Sequence, residues 1–437
     1  MFPASPPLLF AASLLSAVGP APRPREEAAG THFVPDAALD LRTLERLIGE
    51  RTPAIEAADL EVELAAAEHQ QSRLLPNPQL DLGWGTVPIG PLNPPDLTRP
   101  LANVPNYAVG LSYTVPVGKR RPRMQRAQAL VEASRASRSA LTRALSLRFA
   151  GLLGQLAVAT LRREGVRSLV EDAGRAVDVA EKRLAGGFGT PLDLDRLRID
   201  LSRSEQLLRS AESDLGATLA ACSGLVAMRC ESFGSSAEAR AFLARWIDRA
   251  ALPRGPLAQR PDLQALAANE RAAAAELRLA RAQRLPDPTL RLGYLHDRFV
   301  IAGNQLNSLN LAVSFPLPIF DHGQAQADAA QARQTRFAAE RRRRTAASEV
   351  RSQALRERLA AQRARQHALS EEIIPRARSV LSEIERAAET RLLGLGDVLQ
   401  ARRSMSELLL EEAHSYADAF DAYLELLAEF PRDDEEP

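Results

Sequence analysis

The stretch "RLLPNPQLDLGWG" (Arg73–Gly85) changes its side-chain period part-way along. Upstream, between about Leu39 and Leu75, apolar and alanine positions recur at helical spacing, with Pro53 where a first helical turn accepts it. Pro76 and Pro78 then end the helix, because neither has an N–H to give and each drives its predecessor toward extended backbone. Beyond them Leu80, Leu82 and Trp84 alternate with Gln79, Asp81, Gly83 and Gly85, which predicts a strand over about 78–86. A proline-rich loop leads to a second alternating run, 106–116. In it Tyr107, Val109, Leu111, Tyr113 and Val115 face one way and Ala108, Gly110, Ser112 and Thr114 the other.

"PVGKRRPR" closes that strand. From about Arg123 to Leu184 there is no proline and little glycine, and leucines recur at helical spacing, predicting a helix of roughly 90 Å. The turn "LAGGFGTPLDLD" reverses the chain into a helix striped by Leu194, Leu197, Leu201, Leu208 and Leu215. This is an αββαα unit, 22–221. A connecting segment over 222–260 reads as irregular and contains Trp246 and both cysteines.

The unit then recurs over 261–430. "RLPDPTLRLGYLH" (Arg284–His296) repeats the opening stretch, Pro286 standing for Pro76, and strands are expected over about 288–297 and 307–316. Phe315-Pro316-Leu317 repeats Val115-Pro116-Val117. A long helix from Gly323 to Leu393 should kink at Pro375, and "RLLGLGDVL" repeats the first helical turn. The last helix stripes Tyr416, Phe420, Tyr423, Leu427 and Phe430 in a heptad seam, and 431–437 forms an acidic tail.

With 437 residues, 45% hydrophobic and 25% charged, and a formal charge of +1, the chain is globular in composition and offers no basic surface for nucleic acid. Lysine occurs only at Lys119 and Lys182; the abundant arginine reads as compositional bias. Residues 1–21 read as a signal peptide, with an apolar run from Leu8 to Gly19 too short to span a bilayer and cleavage expected near Ala17 to Ala21. No other 18-residue apolar stretch is read in the sequence, so no transmembrane helix is expected after residue 21, and any meeting with a membrane should be made by strands. Cys222 and Cys230 fit either a disulfide in an oxidising compartment or two free thiols better than a metal-ligand pair. His32, His69, His296, His322, His367 and His414 are scattered. No nucleophile elbow, phosphate loop or HExxH is present, so neither an enzyme nor a resident metal or cofactor is expected.

Strands of about ten residues, bulky on one face and small or polar on the other, have the length and pattern of a tilted barrel wall with lipid outside and water inside. Trp84, Tyr107, Tyr113 and Tyr294 sit where an interfacial girdle uses aromatics. Four strands cannot close a barrel, and lipid tolerates no open edge, so three copies are expected to build a twelve-stranded wall. The arginine-dotted, alanine-rich helices would continue it as a tube in the periplasm. A soluble coiled-coil protein with two small hairpins is the alternative.

Taken together, "LLPNPQLDLGWG", "RLPDPTLRLGYL", "VPVGKRRPRMQRAQA", "FPLPIFDHGQAQADAAQA", "GGFGTPLDLDRL" and "LLGLGDVLQAR", in this order, resemble the outer-membrane factor (TolC-like) family of tripartite efflux and secretion channels. The resemblance implies a homotrimeric α-barrel and β-barrel in the outer membrane, meeting a periplasmic adaptor and an inner-membrane pump of the resistance-nodulation-division (RND) type. "GKRRPR" and "PLPIFDHGQA" are most similar to the heavy-metal branch, although His322-Gly323-Gln324 departs from its second pattern. Organic-compound efflux and type I protein secretion use the same scaffold.

By the same resemblance Gly189, Thr190, Pro191, Gly394, Leu395 and Gly396 fall on the tip where the adaptor docks. Asp193, Asp195 and Asp397 stand near it, as rings of carboxylates in a periplasmic gate or, for Asp193 and Asp397, as residues favoured by helix N-termini. Asp81 and Arg291, equivalent in the two halves and on the small face of their strands, are expected to alternate around the lumen at one height. Arg120, Arg121 and Arg123 would meet lipid phosphates at the rim or stay solvated.

Overall fold

The computed structural model describes residues 32–36, 39–85, 106–248, 256–297, 305–390 and 393–431. The expected signal peptide (1–21) and all but the first residue of the acidic tail lie outside these.

The first half runs β1 (His32–Phe33), α1 (Leu41–Arg51), α2 (Pro53–Arg73), β2 (Gln79–Trp84), β3 (Asn106–Thr114), α3 (Arg120–Ala185) and α4 (Pro191–Val226). Asp40 caps α1 by accepting the Thr43 N–H at 2.9 Å, and Pro53 takes the first position of α2, where a missing N–H costs nothing. β4 (Arg229–Cys230) and α5 (Ser236–Ile247) lead to the second half: α6 (Pro261–Ala282), β5 (Thr289–Asp297), β6 (Asn307–Ser314), α7 (Gln324–His367), α8 (Ile374–Glu389) and α9 (Leu395–Ala428). Between α7 and α8 the chain stays helical through a wider π turn, Ala368–Ile373. Pro375 comes two residues after Ile373; it has no N–H for the preceding turn, and the widened turn is where the helix accommodates it.

The segment read as irregular contains α5, whose Ala239, Phe242, Leu243, Trp246 and Ile247 are buried at helical spacing. They form a waist with Phe149, Leu153 and Leu156 of α3 and Phe420, Tyr423 and Leu426 of α9. The Trp246 indole N–H donates to the Leu39 carbonyl at 3.1 Å. At Gly154 any side chain would overlap the Phe420 ring, so glycine lets α3 and α9 close on each other. β1 pairs in parallel with β4, and a Cys222–Cys230 disulfide ties the end of α4 to β4. α3 carries one 18-residue window apolar enough by composition to cross a bilayer, which the reading of the sequence did not single out. More than half of that window is buried inside the chain, where α3 forms the waist.

The four long strands form one antiparallel sheet in the order β2-β3-β5-β6, joining the two hairpins through β3 and β5. The fold is therefore a mainly helical, duplicated αββαα unit with one four-stranded sheet.

Candidate functional site

The sheet has two chemically distinct faces. One carries the row Leu80, Leu111, Leu292 and Leu311 and the row Leu82, Val109, Tyr294 and Leu309, all exposed. At its end stand Trp84, Tyr107 and His296, with Tyr107 stacked on His296 at 4.8 Å and the Tyr294 hydroxyl 2.7 Å from Asn307 Oδ1. The other face carries Gln79, Ser112, Arg291 and Ala312 in one row and Asp81, Gly110, Gly293 and Asn310 in the next. Both outer edges of the sheet, β2 and β6, lack a partner strand among the described residues.

Asp81 and Arg291 share the small face, but not one height. Register places Asp81 across from Gly110 and Gly293, one row away from Arg291. Their side chains meet diagonally, Arg291 Nε to Asp81 Oδ2 at 3.6 Å, over a glycine that offers no obstruction. The expected alternation of separate charges is thus replaced by one ion pair.

At the foot of the sheet, basic residues hold helix ends to strand ends. Arg123 donates to the Ser72 and Leu74 carbonyls at 3.0 and 2.7 Å, and Arg120 to that of Arg73 at 3.4 Å. These carbonyls are left over where α2 stops, so two arginines considered for lipid phosphates act as its C-terminal cap. Lys119 pairs with Asp287 at 2.8 Å, and the same carboxylate accepts the Val117 N–H at 3.0 Å. Asp287 stands where the first half has Asn77, and this exchange of amide for carboxylate opposite a lysine was the available signal in the sequence.

The helical turns lie together at the far end, where Leu399 of α9 packs with Val177, Leu194 and Leu197 of the α3–α4 hairpin. Gly187 takes φ +75°, a left-handed conformation that suits glycine, and Gly189, Thr190 and Pro191 are exposed. The Thr190 hydroxyl accepts the Asp193 N–H at 3.2 Å and donates to its carboxylate at 2.6 Å. In the second turn the Asp397 carboxylate accepts the Gly394 N–H at 3.0 Å; Gly394 and Gly396 are exposed, and Leu395 begins α9. Asp193 and Asp397 therefore fasten their own helix N-termini. Asp195 is exposed, with Arg198 3.9 Å away. Among the described residues no three His, Cys, Asp or Glu side chains gather as a metal site.

The family model described as outer membrane efflux protein matches residues 46–225 and again 252–427, one match for each half. The chain belongs to the outer membrane efflux protein family. No curated protein matches it in sequence. Among solved structures, this family member is similar to CusC, at 18% identity over 90% of this chain and 92% of that one, with a TM-score of 0.66. It is similar to VceC of Vibrio cholerae at 19% identity over 89% and 95%, TM-score 0.65, and to the open state of MtrE of Neisseria gonorrhoeae at 17% over 90% and 90%, TM-score 0.64. At these identities the likeness is one of fold.

Proposed function

We propose that three copies of this chain form a passive conduit through the outer membrane, with the helices in the periplasm, serving an RND-type efflux pump through an adaptor. The observation carrying this reading is the sheet: an exposed apolar face, a small polar face and two outer edges that lack a partner among the described residues. In lipid such edges need partners, which copies of the chain supply. Outer-membrane fractions should yield a heat-modifiable trimer; a monomer in the soluble periplasmic fraction would overturn the proposal.

The small face then lines water, and the turns at Gly189–Pro191 and at Gly394 to Gly396, in which Gly189, Thr190, Pro191, Gly394 and Gly396 are exposed, face the adaptor. Asp195, which makes no capping bond to its helix, is the favoured carboxylate for a gate ring, ahead of Asp193 and Asp397. Asp81 and Arg291 neutralise each other, so Arg291→Ala should leave unpaired carboxylates in the lumen and raise cation selectivity in planar bilayers. An unchanged reversal potential would reject the lumen assignment. Divalent heavy-metal cations are the proposed cargo, on the strength of "GKRRPR"; organic compounds or secreted proteins are the second reading. A deletion strain sensitive to zinc, cobalt or copper supports the first, and one sensitive only to organic toxicants supports the second.

A further inference from the structure

The two strand exits differ. β3 ends at Thr114 and α3 starts at Arg120, whereas β6 ends at Ser314 and α7 starts only at Gln324. The longer exit contains Phe315-Pro316-Leu317-Pro318-Ile319-Phe320, with Phe315 57%, Leu317 67%, Ile319 70% and Phe320 91% exposed. The corresponding exit of β3 is held to the other half by the Lys119–Asp287 pair and by the Val115 N–H on the Pro288 carbonyl at 2.9 Å.

The apolar exposure on the longer exit is held in place by local bonds. The Ile319 N–H donates to the Leu317 carbonyl at 2.9 Å, the Gln324 side-chain amide to the Phe320 carbonyl at 3.1 Å, and the Gly323 N–H to Asp321 Oδ1 at 2.8 Å. Phe315, Leu317 and Ile319 also continue the odd-numbered sequence of Leu309, Leu311 and Val313, which point to the apolar face of β6.

The opposite end of that face carries Trp84, Tyr107 and His296. From Tyr107 to Val115 a strand tilted by about 40° rises roughly 20 Å, close to the apolar band of a membrane barrel. Barrels carry an interfacial girdle at each end of that band. At the second end the apolar face closes with the row Tyr113, Leu290 and Val313, in which Tyr113 on β3 is the girdle aromatic; on the β6 side the exit Phe315–Phe320 has no tyrosine or tryptophan and presents Phe315 and Phe320 instead.

We propose that Phe315–Phe320 is a lipid anchor, seating Leu317, Ile319 and Phe320 at the boundary between headgroups and acyl chains of the periplasmic leaflet. The proposal rests on the membrane reading of the sheet. Its occupant is a lipid surface because the segment prolongs the sheet's apolar face one band-height below the aromatic row; the competing occupant is a neighbouring copy of the chain.

The test uses full-length protein in phosphatidylcholine vesicles with and without bromine on the acyl chains. Trp84→Phe leaves Trp246, enclosed in the waist and out of reach of the bromines, as a constant emission baseline. Adding Phe320→Trp, or Leu317→Trp as a second site, should give a roughly two-fold loss of the new indole's emission, stronger with bromines near the headgroup than near the chain end. Unquenched emission from both variants, while Trp84 of the unaltered protein is quenched, would overturn the anchor in favour of a contact between copies. If Trp84 is not quenched either, the membrane reading of the sheet fails, and the anchor with it.

Discussion

At the waist, Trp246, Phe420 and Tyr423 are almost wholly enclosed, Trp246 lying 5.7 Å from Phe420 and 6.3 Å from Tyr423 between ring centroids. On the sheet, Leu82, Leu309 and Leu311 leave 72%, 74% and 77% of their surface open. Both regions are apolar, and both are ordered. The waist finds its apolar surroundings inside one chain, and its stability belongs to that chain. The sheet presents the same chemistry outward, which water disfavours, so its stability belongs to whatever covers it.

This contrast can be broken by substitution. Trp246→Ala should cost about 3–5 kcal/mol in chemical unfolding followed through the helical signal, with or without a bilayer; a loss below about 1 kcal/mol would remove the waist as the chain's own core. Leu311→Arg should cost ~2–4 kcal/mol near a bilayer midplane. The same change should cost little in unfolding of the helical part in detergent, and Leu311→Ala should be mild in both settings. Equal losses in detergent and lipid would place the sheet's stability inside the chain after all.

The smallest effect sharpens the picture of the waist's margin. Asp421 lines a groove of about 220 Å³ between α3, α4 and α9. Burial, reinforced by Glu425 and Asp418 and opposed by Arg358, raises its carboxyl above the ordinary range. A raised folded-state value means the stabilising contribution is complete below about pH 4 and is lost as pH rises through that value. Asp421→Asn should therefore stabilise at pH 7, by about a few tenths of a kcal/mol given solvent screening, and give no gain near pH 3. A gain that persists in acid would point to packing instead of charge.

The alternation of Leu80, Leu82 and Trp84 and its echo at Leu290, Leu292 and Tyr294 made the strands legible, because side-chain parity is a local property. Register is not local. Asp81 and Arg291 are equivalent by duplication, yet Asp81 shares a row with Gly293. Successive hairpins are displaced by two residues, the kind of stagger a closing sheet requires, and a repeat seen along the chain says nothing of it. For Asp193 and Asp397 the sequence offered the helix N-terminus as one of two readings beside the gate ring, since a carboxylate in a first helical turn has adjacent donors. The β1–β4 pairing was not legible, for it joins positions more than a hundred residues apart, and the Lys119–Asp287 bridge left in the sequence only the exchange of Asn77 for Asp287 between the halves.

That bridge and the Arg123 cap make the foot of the sheet a fulcrum. α3 leaves it and continues for 66 residues, about 100 Å, to the turn at Gly186. On a lever of that length a tilt of one degree at the fulcrum displaces the far end by about 2 Å. Small changes in the polar contacts at the foot are therefore magnified toward the distant helical turns, with the waist part-way along α3 as the restraint on that lever.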